Sequence, residues 1–468
     1  MGSISLPTIN TQNLVYGSSM SLNVQQLVQA SMQALELPAS SLVGEQTQLN
    51  TESSALTSIN NDLTALANAF QTLPSLAGGL SGMTASSAAP AVVSATADNT
   101  ASAGTHPVTV SALATTSSYD TNELASASTT FGTGTFDIQV GTGTAQTITV
   151  TSANDTLSGL AATINQAGLG VTASVITDAN GARLALLSDT TGTPGNLTVS
   201  ANTTGLTFTQ TQAGTNASLT VDGIPISSAS NTVTGAIPGV TLQLVGTSSS
   251  PVSVSVGADT GAATTAINSF VSAYNTVVQD LNKQFTVTTG TDAAGNTTVQ
   301  AQPLEADPGL RLVQSQLLEA VNYAMTGNNG ITSLSSLGIT VKTDGTLAVN
   351  NTTLQNALSG NFAAVQNFFQ GASGTFGSNM TAVLTQLTAA GTGALNIELS
   401  NLSTQGNDLT SQINQMNAQL AVQQQQLTEE YSQVNATLQT LPLLLQQING
   451  QLGSLGGASS GSSNSSGG

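Results

Sequence analysis

The side chains that most often carry chemistry in proteins are scarce in this sequence. Its 468 residues include one histidine, no cysteine, and four basic residues against 23 acidic ones. His106 would have to serve any Ser-His-Asp site alone, and no second histidine or cysteine can help it hold a metal ion. It stands in "GTHPVTV", which is typical of a strand start. We therefore expect no catalytic residue, no cofactor and no metal site.

Two acidic turns and the remaining carboxylates need separate consideration. "TDANGAR", around Asp178, and "TDAAGN", around Asp292, resemble calcium loops in outline. Neither has the further acids or the Glu at position twelve of an EF-hand loop, so hairpin turns explain both. No glycine-rich run is followed by Lys-Ser or Lys-Thr, which a phosphate-binding loop requires. A pair of catalytic carboxylates stays open at this point, although the acids are scattered over turns and helix faces.

The charge balance restricts the partners. The formal net charge is -19, and the first basic residue is Arg183. Nucleic acids and anionic membrane surfaces attract clustered Lys and Arg, so neither is an expected partner. The longest strongly apolar run near the end, "LPLLL", is too short for membrane insertion. The start has no basic region followed by an apolar one, so we expect a cytosolic chain or one exported without a cleaved signal peptide.

Two long segments carry apolar residues at heptad spacing. We call them the first and the second heptad row. The first comprises Leu42, Leu49, Leu56, Ile59, Leu63, Leu66, Phe70 and Leu73; the second comprises Leu409, Ile413, Met416, Leu420, Leu427, Val434, Leu438 and Leu441. Such rows are typical of a coiled coil or helical bundle, and an ordinary amphipathic core helix is the alternative. Both interpretations require a facing helix, and the simplest partner of each row is the other.

The segment between the rows has a different pattern. Residues 86 to 260 are rich in Thr, Ser, Gly and Val, and "GTFDIQVGTGTAQTITVT" alternates apolar and polar residues across a turn. This pattern predicts antiparallel strands. The expected fold class is therefore α+β and multidomain: a helical coiled-coil or bundle stalk formed by both chain ends, with inserted β-rich domains.

Seven short segments, spread over nearly the whole chain, resemble one known family in their order. The most specific is "LTVDGIPISSASNTVTGAIPGVTLQL", followed by "FVSAYN", "LGITVKTDGTLAV" and "VQNFFQG". The opening helix, "GTHPVTVSALATTSSYDT" and "DTLSGLAATINQAGLGVTASVITDANGARLAL" precede them. Together they resemble the flagellar hook-associated protein 2 family, whose members cap the bacterial flagellar filament. Asn23 and His106 depart from it, since the family usually has Asp and an aromatic residue there.

The resemblance implies a non-enzymatic assembly role. It implies a ring-shaped homo-oligomer at the distal tip of the flagellum, outside the cell, reached by export without a cleaved signal peptide. The implied partners are flagellin, other hook-associated proteins and a type III export chaperone. The implied action is to promote flagellin insertion and polymerisation and to prevent leakage of unpolymerised flagellin. The heptad rows would then pair helices and contact assembly partners.

The resemblance also implies a domain division. We expect flexible legs at 1–40 and 441–468 and a discontinuous helical stalk from 41–85 and 260–440. A β-rich plate domain would comprise 86–120 and 215–259, and an outer β-rich domain 121–214. Two alternatives stay open: a surface adhesin that binds host glycans or proteins through its β-rich domains, and a filament-junction or flagellin-like subunit.

Overall fold

The computed structural model describes residues 23–75, 79–291 and 294–456. Long helices lie near both chain ends and most strands lie between them, so the predicted α+β multidomain fold is confirmed. Among the described residues, none of the helices combines the length and the apolarity that crossing a bilayer requires.

Eight α-helices lie within the described residues. Asn23 caps the first of them by accepting a hydrogen bond from the Gln26 amide. Asn and Asp are equally good N-cap residues, so Asn23 can replace the Asp that is usual in the family without loss of the cap. The last helix is 63 residues long and contains Pro442. The helices are α1 (Val24–Leu35), α2 (Leu37–Thr72), α3 (Leu157–Ala167), α4 (Thr260–Gln284), α5 (Pro308–Val321), α6 (Asn351–Gln370), α7 (Phe376–Thr388) and α8 (Ala394–Gly456).

The strands all pair antiparallel. They are β1 (Met83–Ser87), β2 (Val93–Ala97), β3 (Gly104–Ala112), β4 (Thr116–Thr121), β5 (Gly134–Val140), β6 (Gln146–Val150), β7 (Val171–Thr177), β8 (Ala182–Thr191), β9 (Leu197–Ser200), β10 (Phe208–Gln212), β11 (Ala217–Val221), β12 (Ile224–Ser228), β13 (Thr232–Ile237), β14 (Val240–Leu244), β15 (Val252–Ala258), β16 (Val287–Thr291), β17 (Thr297–Ala301), β18 (Ile339–Val341) and β19 (Leu347–Val349).

Two β-rich cores follow from the alternation of apolar and polar residues. The first lies among the sheets β1-β15-β3-β11-β12 and β13-β14-β2 and buries Val108, Leu219 and Leu242. In β15, "VSVSV" turns each valine inward and each serine outward. The second lies among the sheets β10-β4-β8-β7 and β6-β5-β9 and helix α3, and it buries Phe136 and Ile164.

The chain divides into two compact units. Among the described residues, unit 1 contains 23–65, 276–318 and 383–456, and unit 2 contains 66–275 and 319–382. Both β-rich cores belong to unit 2, whereas unit 1 contains all of α8 and the hairpin of β16 and β17. The five-part division expected from the sequence stays a prediction. Residues 1–22 and 457–468 of its two legs lie outside the described residues.

Candidate functional site

Within unit 1, α8 lies antiparallel to α1 and to the first part of α2. The amide nitrogen Nε2 of Gln46 donates to Thr410 Oγ1 at 2.7 Å. Farther along, Ser31 Oγ and the Tyr431 hydroxyl are hydrogen-bonded at 3.0 Å. The contact residue in α8 has a higher number when its partner in α1 or α2 has a lower one, so the two chain ends run in opposite directions. Head and tail of the chain are thus held together over several helical turns.

A small apolar cluster fills this antiparallel contact. Val28, Met32 and Ala39 from the head bury against Leu420 from the tail. The partly buried residues packed around them are Val24, Met416, Leu427 and Tyr431. Sequence reasoning missed Val28, Met32 and Ala39 as pairing residues. The helical spacing of Val28 and Met32 was a usable signal, but the spacing does not say which residues of α8 lie opposite.

The residues of the first heptad row are divided between unit 1 and unit 2, and different elements cover them in each unit. In unit 1, Leu49 lies beside Gly406, where an added β-carbon would be 3.4 Å from Leu49 Cδ2. Leu42 is half-buried and Leu49 is buried. Leu56, Ile59 and Leu63 are at most 1% exposed. Leu66, Phe70 and Leu73 belong to unit 2.

An aromatic cluster covers the end of the first row in unit 2. The ring of Phe70 lies 5.2 Å from Phe270, 6.0 Å from Phe376 and 6.5 Å from Phe369, measured between centroids. These rings come from α4, α6 and α7, so this end of α2 forms part of a mixed core. The pairing and assembly role that we assigned to the whole row stays a prediction.

The second heptad row changes along α8. Leu409, Ile413 and Leu420 are buried, and Met416, Leu427 and Leu438 are half-buried. Val434 is 43% exposed and Leu441 is 40% exposed. Beyond Pro442 the apolar side chains are exposed: Leu443, Leu444, Leu445, Ile448 and Leu452. We call these five the distal apolar residues. They lie beyond the part of α8 that contacts α1.

Two carboxylates from different elements lie close together inside unit 1, and a third, that of Glu52, influences one of them electrostatically. Asp307 is 8% exposed and caps α5 by accepting a hydrogen bond from the Leu310 amide. A β-carbon built on Gly309 would lie 2.9 Å from Glu398 Oε2 and 3.1 Å from Asp307 Oδ1. The two carboxyl groups are therefore within about 6 Å, close enough to affect each other's ionisation. Burial, then Asp307, then Glu52 raise the pKa of Glu398 to about 7.

A second carboxyl pair lies between α2 and α4. Burial, and then the neighbouring Asp280 carboxyl, raise the pKa of Asp62. The hydrogen bond from Lys283 lowers the pKa of Asp280. The pKa values of the two carboxyl groups are therefore shifted in opposite directions, upward for Asp62 and downward for Asp280.

The candidates for chemistry have structural roles. His106 Nδ1 lies 2.8 Å from Asp222 Oδ2, and the Asp222 amide donates to the Pro107 carbonyl, so both contacts fix the β11–β12 turn to β3. The Asp178 carboxylate accepts from the amides of Asn180 and Gly181, as expected for a turn. Asp292 lies outside the described residues. Within the described ranges, no three His, Cys, Asp or Glu side chains gather to hold a metal ion.

Comparisons with known proteins agree with this architecture. Residues 20–117 match the family described as flagellar hook-associated protein 2 N-terminus, and residues 214–442 match its C-terminus. The chain is 33% identical over 368 residues to the B-type flagellar hook-associated protein 2 of Pseudomonas aeruginosa, covering 70% of this chain and 76% of that protein. It is 29% identical to the flagellar hook-associated protein 2 of Escherichia coli, covering 57% of this chain and 61% of that protein.

A solved structure has the same fold. The D1–D2–D3 domains of the flagellar cap protein FliD from Escherichia coli superpose with a TM-score of 0.55 at 26% identity, covering 75% of this chain and 99% of that chain. The two family segments and the first of these relatives together span the paired helices and the first β-rich core. The chain belongs to the flagellar hook-associated protein 2 family.

Proposed function

We propose that this chain is a structural cap of the flagellar filament. In this proposal it forms a ring-shaped homo-oligomer at the distal tip, outside the cell, promotes insertion and polymerisation of flagellin, and prevents leakage of unpolymerised flagellin. The role contains no catalytic step. Besides itself and flagellin, its partners are other hook-associated proteins and a type III export chaperone, and export needs no cleaved signal peptide.

The observation that carries the proposal, beyond family membership, is the exposed end of α8. Of the distal apolar residues, Leu445, Ile448 and Leu452 continue the heptad spacing of the paired helix, and all five are 44% to 66% exposed. An amphipathic helix of this kind can bind the apolar face of another helix. Burial of one leucine contributes roughly 1.5 to 3 kcal/mol, so a few such residues suffice for a specific contact. We assign this end of α8 to contacts with flagellin and neighbouring cap subunits.

The adhesin alternative receives less support. The family match covers both the helical head and the segment from residue 214 to 442. An adhesin that used its helices only as a support would need the buried part of the heptad rows. It would not need the exposed apolar residues at the distal end of α8. The test below separates the two functions, because an adhesin variant altered at that end would leave filaments normal.

The test replaces four distal apolar residues (Leu443, Leu444, Leu445 and Ile448) by Gln in a strain that lacks the native protein. We expect short or absent filaments and unpolymerised flagellin in the medium. The matched control is Val422→Gln, since Val422 is 56% exposed on the paired part of α8. Normal filaments from the fourfold variant would contradict the proposal. Immunogold labelling of intact cells should place the protein at filament tips.

A further inference from the structure

Among the described residues of unit 1, the hairpin of β16 and β17 contains the only strands. In the part of the chain that the structure describes, no further strand joins its sheet, in which Val287 lies opposite Ala301 and Thr289 opposite Val299. Directly opposed residues of an antiparallel pair share one face. Val287, Val299 and Ala301 therefore lie on the same face, together with three threonines. We call it the hairpin face.

The hairpin face is open to solvent. Val299 is 68% exposed and Val287 is 47% exposed, and Ala301 is exposed as well. Thr289, Thr291 and Thr297 on the same face are also exposed. An isolated two-stranded hairpin is at best marginally stable in water, and exposed β-branched apolar residues add a further cost. A hairpin with this composition gains stability when another surface covers it.

The edges of the hairpin have none of the usual protection against pairing. In natural proteins, charged residues, prolines or bulges on edge strands prevent these strands from pairing with another chain. Neither strand contains Lys, Arg, Asp, Glu or Pro, and the register is continuous over five residue pairs. Between Lys283 and Glu305 the sequence has one charged residue, Asp292, in the turn outside the described residues. Both outer edges can therefore accept a further strand.

The base of the hairpin is anchored to helix α5 through Arg311. The Arg311 guanidinium lies 5.1 Å from the centroid of the Phe285 ring, immediately before β16. The same guanidinium donates to the Glu305 carbonyl at 3.0 Å, four residues after β17. Arg311 thus contacts both ends of the segment, and a cation over an aromatic ring contributes about 0.5 to 1 kcal/mol at an exposed site.

The net charge of the chain and the uncharged hairpin face together indicate which protein binds this face. Two copies of a chain with a formal net charge of -19 repel each other, and the repulsion is weakest where the contacting surfaces carry no charge. A partner with a basic surface would find no acidic group on the hairpin face. A second copy of this chain is also rich in the uncharged Thr and Val that fit such a face. We propose that the hairpin face binds the neighbouring copy of this chain in the oligomer.

The proposal rests on the proposed function only in requiring an oligomer. A ring needs a heterologous contact, in which each subunit presents one surface and receives a different one. A projecting, uncharged hairpin supplies the first surface, with main-chain groups at its edges and valines on its face. The receiving surface belongs to the next subunit, so one altered hairpin face weakens every contact in the ring.

The experiment compares Val299→Glu with Val245→Glu in the full-length protein. Val245 is 55% exposed in unit 2, so it gives a matched control for an added charge on an exposed valine. Sedimentation velocity over a concentration series measures the oligomer. We expect Val299→Glu to shift the association midpoint at least tenfold to higher concentration, whereas Val245→Glu leaves it unchanged. Circular dichroism should show the same helix content in all three proteins.

The possible outcomes separate this inference from the proposed function. A Val299→Glu protein that associates like the unaltered chain overturns the inference, and so does an unaltered chain that is monomeric throughout. If Val299→Glu associates normally but no longer binds purified flagellin, the face serves flagellin and the inference is wrong. The proposed function fails on a different readout, which is normal filament growth from the variant altered at the distal end of α8.

Discussion

The two parts of α8 have the same heptad pattern but different surroundings. In the first part, Leu395 is fully buried and Leu409 is 7% exposed. In the last part, beyond Pro442, Leu445 is 54% exposed and Leu452 is 62% exposed. Heptad spacing therefore predicts an apolar helix face, but it does not predict whether another element of the chain covers that face. The first part contributes to the core of unit 1, whereas the last part exposes its apolar side chains to solvent.

The largest expected difference is in unfolding free energy. Leu395→Ala should destabilise the protein by about 2 to 5 kcal/mol, because truncation of a fully buried leucine removes apolar contacts and leaves a cavity. Leu444→Ala removes the same atoms from a side chain that is 55% exposed and should change stability by less than about 0.5 kcal/mol. Urea unfolding measures both. Equal losses would show that the distal part of α8 is covered as well.

The next effect concerns the border between the two parts. Pro442 lacks an amide proton and crowds the preceding turn, which disfavours a helix interior by about 3 kcal/mol. Pro442→Ala should therefore slow amide hydrogen exchange in residues 443–452 without changing the global unfolding midpoint. Gln447→Ala is the control, since it leaves the backbone hydrogen bonds intact. Unchanged exchange after Pro442→Ala would mean that the proline does not weaken this border.

A smaller effect is expected at the polar contact between head and tail. Tyr431→Phe removes the hydroxyl that bonds Ser31 and keeps the ring that packs beside Val28 and Met32. The loss should be about 0.5 to 1.5 kcal/mol, the net value of one partly buried hydrogen bond. Ser31→Ala should cost a similar amount, and the double variant should cost less than the sum. Additive losses would indicate that the two hydroxyls do not interact.

The smallest expected effect on unfolding free energy at a fixed pH comes from Glu398. This effect is recognisable by its dependence on pH. Its pKa in the folded protein is about 7, above the ordinary value of 4.5, so the folded state keeps a proton that the unfolded state releases. Stability should therefore fall as the pH rises from 4.5 to 7 and level off above 7. Glu398→Gln should flatten this part of the profile of urea midpoint against pH. Glu430→Gln, at an exposed position, should leave the profile unchanged.

Much of the fold could be predicted because it depends on local patterns. Heptad spacing identified α2 and α8, and the alternation of β15 and the Asp178 turn identified strands and a hairpin. Each of these signals is contained in one continuous stretch of the sequence. The helical composition of both ends and the β-rich middle follow directly from them.

What the sequence could not supply was the register between distant segments. Nothing in the spacing says that Phe70 meets rings from α4, α6 and α7, or that Met32 packs near Leu420. Apolar residues of similar size are interchangeable as partners in a pattern, and only three-dimensional packing selects one. The carboxyl group of Glu398 was equally hidden, because its neighbour Asp307 lies far away in the chain and is recognised only by proximity.

The antiparallel pairing of the two chain ends is the central claim, and cysteine cross-linking tests it most directly. The chain has no native cysteine, so any cross-link must form between the two introduced cysteines. Gln46→Cys with Thr410→Cys should cross-link rapidly within one chain through a short bifunctional reagent, since these side chains are 2.7 Å apart. Gln46→Cys with Gln447→Cys is the control and should not. Efficient cross-linking of the control pair, or none in the first pair, would contradict the account.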